Sequence, residues 1–161
     1  MLKKYINPKA THYMQLALKE AKKASKKGEV PVGAIIVEPK TQTVIAKAFN
    51  KVIKNNNPTY HAEVLAITKA AKVIKNYRLT DLELYVTLEP CPMCAGAAIH
   101  SRIKKIYFGA FDIKGGAVAN NSKIFNNKFN YNHKPLWQGG LLEAECANLL
   151  SNFFKQLRKA K

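Results

Sequence analysis

Apolar residues at helical spacing, together with residues that favour helix ends, predict four helices in the chain. They cover residues 8–28, 60–74, 92–100 and 142–157. The first begins at Pro8 with Asn7 as its N-cap, because proline is favoured at the first helical position. Thr59 is the predicted N-cap of the second helix and Cys91 that of the third.

Short runs of apolar and β-branched residues predict five strands. Residues 32–37 are apolar at almost every position, which is typical of a buried strand, and a turn pairs them with residues 44–49 as a hairpin. Further strands are predicted at 82–87, at 103–109 and, as a short edge strand, at 135–138. Residues 111–134 are irregular, and loops of this length often carry function.

Length and composition indicate one globular domain spanning residues 1–161, since 47% of the residues are apolar. No apolar run reaches membrane-spanning length, so we expect no membrane segment. The first five residues are basic and no apolar run follows, so no export signal is expected. Three cysteines without such a signal favour a reducing, cytoplasmic location.

The chain is strongly basic. Its 27 Lys and Arg residues against 10 Asp and Glu residues give a net charge of +17. Such an excess predicts attraction to a polyanion such as nucleic acid. A lysine-rich composition alone would produce the same charge, so charge by itself leaves nucleic-acid binding open.

One imidazole and two thiols form a candidate zinc site. His61, Cys91 and Cys94 are residue types that bind zinc, and Cys91 and Cys94 share one face of the third predicted helix. Three protein ligands leave a fourth position for water, which is typical of a catalytic zinc site. Glu63 is two residues after His61 and is the candidate proton carrier.

A structural zinc site is the alternative for these residues. It would need a fourth protein ligand. The remaining cysteine, Cys146, lies on the apolar face of the last predicted helix, and the other histidines are scattered. A nucleic-acid-binding module with a structural zinc therefore has no well-placed fourth ligand, and a catalytic zinc is favoured.

The pattern H-x-E followed by P-C-x-x-C is a signature of zinc-dependent nucleobase deaminases. Beyond it, the chain resembles the bacterial tRNA-specific adenosine deaminases over nearly its whole length. The stretches that carry this resemblance are residues 29–34, Asn50, 58–63, 76–79, 84–97, 99–103, 108–110, 132–133, 145–147 and 153–154. The zinc motifs mark the broad superfamily, and the other stretches indicate the tRNA branch.

The resemblance implies a three-layer α/β/α, cytidine-deaminase-like fold with a five-stranded mixed sheet. It also implies a homodimer that converts the wobble adenosine of a tRNA anticodon, in an arginine tRNA, to inosine. It assigns one zinc ion per subunit to His61, Cys91 and Cys94, and proton transfer to Glu63. The residues that it implies in substrate binding are Asn50, Asp112 and His133. The loop 113–131 departs from the family, so the resemblance assigns no RNA contacts there.

The alternative activity is deamination of a free base or nucleotide, such as cytosine, guanine or a pyrimidine nucleotide. The zinc chemistry would be identical. The tRNA-type stretches and the net charge of +17 favour an RNA substrate.

Overall fold

The structure, a computed structural model, describes residues 8–126, 128 and 130–160, and its five strands form one mixed sheet. The predicted N-cap Asn7 lies outside the described residues. None of the helices in the described part of the chain has the length and hydrophobicity that a membrane crossing needs. The elements in chain order are α1 (Pro8–Lys26), β1 (Gly33–Glu38), β2 (Thr43–Phe49), α2 (Ala62–Ile74), β3 (Glu83–Leu88), α3 (Pro92–His100), β4 (Lys105–Ala110), β5 (Leu136–Gln138) and α4 (Glu143–Lys159).

The strand order in the sheet is β2-β1-β3-β4-β5. β1 is antiparallel to both β2 and β3, whereas β3, β4 and β5 run parallel to one another. The expected five-stranded mixed sheet is therefore confirmed. Parallel strands need a crossover connection, and α3 supplies it between β3 and β4.

Helices cover both faces of the sheet, because the strands bury alternate residues on opposite sides. Ala34 and Ile36 of β1 point into a core shared with α2 and α3. Ile35 and Val37 point into a second core shared with α1 and α4. The near-continuous apolar character of β1 follows from this two-sided burial.

Gly33 lets α1 pack closely on the first strand. A Cβ atom at this position would lie 2.1 Å from the carbonyl oxygen of Ala17 and 2.4 Å from the amide nitrogen of Ala21, both in α1. No side chain fits there. The helix consequently lies directly over the start of β1, next to the loop that leads into it.

The nine predicted elements are all present, but α2 begins later than predicted. Its N-cap is His61, not Thr59. Oδ1 of Asn57 accepts two hydrogen bonds from Thr59, one from its hydroxyl at 2.7 Å and one from its backbone amide at 2.9 Å. This turn holds Thr59 outside the helix and keeps its hydroxyl from capping.

The last helix buries fewer residues than its apolar stripe predicts. Cys146 is buried as expected, with 1% of its surface exposed, and Phe153 is also buried. Leu157, predicted on the same face, is 46% exposed because it lies in the last turn, beyond the edge of the core.

Candidate metal centre and substrate pocket

Two helix N-termini meet beside the carboxyl end of β3. His61 is the N-cap of α2, and Cys91 is the N-cap of α3. Both residues have extended backbones, and neither side chain caps its own helix. The imidazole and the thiol are therefore free to face each other. Cys94 follows in the first turn of α3 and is fully buried.

The spacing of the three donor atoms fits zinc. Nδ1 of His61 lies 3.7 Å from the sulfur of Cys91 and 3.5 Å from that of Cys94. Tetrahedral zinc with ordinary bond lengths separates its nitrogen and sulfur ligands by about 3.6 Å. All three donor atoms lie within 4.8 Å of one another, so a single ion can contact them all.

The pKa values of the two thiols are shifted in opposite directions. The pKa of Cys91 is lowered to about 4, mainly by the hydrogen bond from Cys94 and also by His61, although burial opposes ionisation. The pKa of Cys94 is raised because it donates that hydrogen bond and is buried close to Glu63. Zinc binds thiolates, so a metal ion that binds both sulfurs would displace the thiol proton of Cys94.

Glu63 lies in the first turn of α2, where its carboxylate is buried against the cluster. Only 4% of its surface is exposed, and its Oε2 has no hydrogen-bond partner among the described residues. Burial raises the pKa of Glu63 to about 7, despite the opposing effect of His61. A carboxyl group with a pKa near neutrality can both accept and donate a proton at physiological pH.

A cavity of about 290 Å³ opens over these residues. This volume is near the lower limit of small-molecule pockets, about 300 Å³, so the cavity suits a single base rather than a longer stretch of nucleic acid. Its lining residues come from the segment that leads into β1, the loop after β2, the start of α2, the end of β3 with the residues that follow it, and the loop after β4: Glu29, Val30, Val32, Asn50, Val52, Ile53, His61, Glu63, Leu88, Glu89, Cys91 and Asp112.

The structure brings two of the three proposed substrate contacts to this cavity. Asn50 follows β2, and its Oδ1 accepts a hydrogen bond from the amide of Ala62 at 2.8 Å. This gives a partner to one of the backbone amides in the first turn of α2 that have none within the helix. The Nδ2 donors of Asn50 remain for a ligand. Asp112, in the loop after β4, also lines the cavity.

His133 lies elsewhere. Its Nε2 is 2.6 Å from the carbonyl oxygen of Ile103, ahead of β4, and it does not line the cavity. A role for His133 in substrate binding stays a prediction, and within the chain its ring tethers the segment that leads into β5.

Two buried glutamates that sequence reasoning missed also line the cavity. Glu29 accepts the amides of Ile53 and Lys54 at 3.1 and 2.7 Å. Glu89 accepts hydrogen bonds from the loop that follows Asp112. Each is 2% exposed. The groups that donate to these glutamates are mostly backbone amides, which any residue type can supply, so the sequence does not reveal them. The signal that the sequence did offer was an acidic residue next to a predicted apolar strand.

Fold and site together indicate a class of protein. A carboxylate that is not itself a ligand, held next to a three-ligand zinc site, is typical of the nucleobase deaminases. The α/β/α arrangement with helices on both faces of a mixed sheet is that of the cytidine-deaminase-like fold.

Comparison with known proteins identifies the family. Residues 9–158 match the family model of the MafB19-like deaminases. A tRNA-specific adenosine deaminase of Rickettsia bellii is 46% identical over 145 residues, which cover 90% of this chain and 99% of the relative. One of Bacillus subtilis is 47% identical over 149 residues, covering 92% and 91%.

A solved structure gives the same result. It comes from a study of A-to-I editing by tRNA deaminases at the wobble position of transfer RNA. It superposes with a TM-score of 0.82 at 42% identity and covers 87% of this chain and 99% of that one. The chain belongs to the family of tRNA-specific adenosine deaminases, as the sequence resemblance indicated.

Replacement of one thiol tests the metal centre. We expect Cys94→Ser to lose bound zinc, because a neutral hydroxyl is a poor zinc ligand at neutral pH. Cys146→Ala is the control, since this buried thiol lies on the other face of the sheet and should leave the zinc content unchanged. Metal content by mass spectrometry is the measurement, and full zinc occupancy in Cys94→Ser would contradict the assignment.

Proposed function

We propose that this protein hydrolyses the wobble adenosine of a tRNA anticodon to inosine and ammonia, with zinc held by His61, Cys91 and Cys94. The observation that carries the proposal is the buried carboxylate of Glu63, whose Oε2 has no hydrogen-bond partner among the described residues, beside a His-Cys-Cys cluster in a base-sized cavity. The relatives with 46% and 47% identity are named tRNA-specific adenosine deaminases, which supports this substrate over a free base.

Glu63 is the proton carrier in this reaction. Bound zinc would activate a water molecule for attack on the adenine carbon that bears the amine. Glu63 takes a proton from that water and passes it to the adjacent ring nitrogen. The second water proton follows the same route to the amine, which leaves as ammonia. Glu63 suits this shuttle because it is buried beside the cluster without being one of its three candidate ligands, so its carboxyl group is available to take up and release a proton.

The target base is oriented by Asn50, whose Nδ2 donors meet acceptors on its edge, while Asp112 lies near the flanking backbone. Asn50 is well suited to this because its Oδ1 is already engaged by α2, which fixes the orientation of the amide. The small cavity requires that the adenosine be turned out of the loop, as in other enzymes that modify a single base.

The positive charge of the chain serves to hold RNA phosphates. Lys51 and Lys54 lie on the loop that Glu29 anchors, and Lys114 lies on the loop after β4. Each of these two loops also contributes residues to the cavity lining. Within the described residues only two ion pairs are found, Lys23–Glu20 and Lys40–Asp81, so most of the positive charge is not neutralised by ion pairing.

The finer assignments follow the family resemblance. We propose an arginine tRNA as the substrate and the cytoplasm as the location. Three free cysteines are consistent with a reducing compartment.

A homodimer is the assembly that we propose. The helices that carry the metal ligands, α2 and α3, border an open groove of about 740 Å³. Its lining includes the small side chains of Thr68, Ala71 and Ala97 as well as Tyr77, which is 66% exposed. A second copy of the chain, packing here, would cover the groove and bring two sites close together.

The role of Glu63 has a direct test. We expect Glu63→Gln to keep zinc and fold but to lose activity by about 10² to 10⁴-fold, because an amide cannot carry the proton. Glu143→Gln, an exposed change on α4, is the charge-matched control. Initial rates of inosine formation and zinc content are measured together. Near-normal turnover by Glu63→Gln would remove this residue from the mechanism.

Salt dependence tests whether the substrate is RNA. We expect affinity for an anticodon stem-loop to fall steeply with salt, with a slope of about −0.7 in log units for each phosphate engaged. Lys54→Ala should reduce this slope, whereas Lys40→Ala, in the turn at the far end of β1, should not.

The same RNA with guanosine at the target position should show equal salt dependence and no turnover, since phosphate contacts position the RNA and base contacts specify it. Salt-insensitive binding, or faster turnover of free adenine, cytosine or guanine than of the stem-loop, would favour the small-molecule activity instead.

The dimer is tested by a charge placed in the groove. Thr68 is exposed on α2, so Thr68→Arg should fold normally yet weaken association, giving a monomer with reduced activity. Ala144→Arg, exposed on α4, is the control. Sedimentation velocity reports the mass. A monomeric wild-type protein with full activity on tRNA would overturn the proposal.

A further inference from the structure

Glu89 is a buried carboxylate that receives five hydrogen bonds from one loop. Oε1 accepts the backbone amides of Val118, Ala119 and Asn120 at 3.1, 2.8 and 2.9 Å. Oε2 accepts the amide of Asp112 at 3.0 Å and the side-chain Nδ2 of Asn120 at 2.6 Å. Glu89 takes part in neither of the ion pairs found among the described residues.

The loop from 112 to 120 is built around this carboxylate. Its backbone has no helix or strand, and the amide of Gly116 donates to the carbonyl oxygen of Asp112 at 2.9 Å. A Cβ atom on Gly116 would lie 2.3 Å from the carboxyl carbon of Glu89. The loop thus wraps so closely that only glycine fits at this point.

The hydrogen bonds to Glu89 suit an ionised carboxylate. All five loop groups that contact it are N–H donors, and an ionised carboxylate has only acceptors to offer them. A charged group with several donors binds them more strongly than a neutral one. The carboxylate is therefore a firm anchor for a loop that has no regular structure of its own.

The position of this anchor connects it to the pocket. Glu89 lies between the end of β3 and the metal-binding residue Cys91, and both Glu89 and Asp112 line the cavity. The hydrogen bond from Asp112 to Glu89 ties the loop to the strand that ends at the site. Displacement of the loop would move Asp112, the residue of this loop that lines the cavity, while leaving the three candidate metal ligands in place.

We propose that Glu89 is a positioning residue. It holds the 112–120 loop, and with it Asp112, at the side of the cavity, and so fixes the surface that binds the RNA around the target adenosine. This inference rests on the function proposed above. Glu89 acts through the loop and touches neither the metal nor the reacting atoms. Its loss should therefore weaken productive RNA binding more than the chemical step.

The two carboxylate oxygens suggest a selective variant. In Glu89→Gln the carbonyl oxygen can keep the three amides now bound to Oε1. The new NH₂ group replaces Oε2 and opposes the donors of Asp112 and Asn120. We expect KM for the stem-loop to rise about tenfold, kcat to change less than about threefold and zinc content to stay the same.

A second variant supplies a rescue. Asn120→Asp alone brings two carboxylates together and should raise KM more than Glu89→Gln does. In the double variant the new amide of Glu89→Gln donates to the new carboxylate of Asn120→Asp, and KM should return to within about threefold of wild type. Glu143→Gln and Asn152→Asp, both exposed on α4, are the matched controls.

Hydrogen exchange of the loop amides gives an independent readout. Exchange across residues 112–120 should accelerate in each single variant and slow again in the double variant. Wild-type KM and exchange in Glu89→Gln, or additive losses in the double variant, would overturn the proposal. A wild-type protein that leaves the stem-loop adenosine unchanged would refute the proposed function instead, and the exchange experiment would still test whether Glu89 anchors the loop.

Discussion

The meeting of two helix N-termini at the end of β3 is the constraint on which the rest of the site depends. His61 and Cys91 are the N-caps of α2 and α3, and Cys94 lies one turn along α3. Helix N-termini stabilise negative charge, which favours thiolates and a carboxylate in this small space. Glu63 is buried in this space, and its Oε2 has no hydrogen-bond partner among the described residues. A free oxygen at this place is what the proposed proton transfer requires.

Two further buried glutamates connect this centre to its surroundings. Glu29 anchors the loop after β2, and Glu89 anchors the loop after β4. Both loops carry lysine and both contribute residues to the cavity lining, which also includes apolar residues and the candidate metal ligands His61 and Cys91. Negative charge held inside thus organises the positive charge outside, an arrangement that suits an enzyme which must grip phosphates and isolate one base.

Much of this arrangement follows from local sequence. Pro8 and Pro92 mark helix starts, the apolar run of β1 predicts its burial on both faces, and the metal-binding residues stand out by type and spacing. The remainder depends on contacts between distant residues. Asn50 engages the first amide of α2 from across a loop, and the Asn57 turn delays the start of that helix. Glu89 was missed because its loop donors, mostly backbone amides, have no sequence signature.

The source of the new oxygen tests the central claim most directly. The zinc-loaded protein is incubated with an anticodon stem-loop in water enriched in oxygen-18, and the RNA is digested and analysed by mass spectrometry. Hydrolytic deamination takes its oxygen from water. The account predicts inosine at the first anticodon position alone, with one oxygen-18 atom in each base formed. Inosine without the label, or conversion of free bases while the stem-loop stays unchanged, would contradict it.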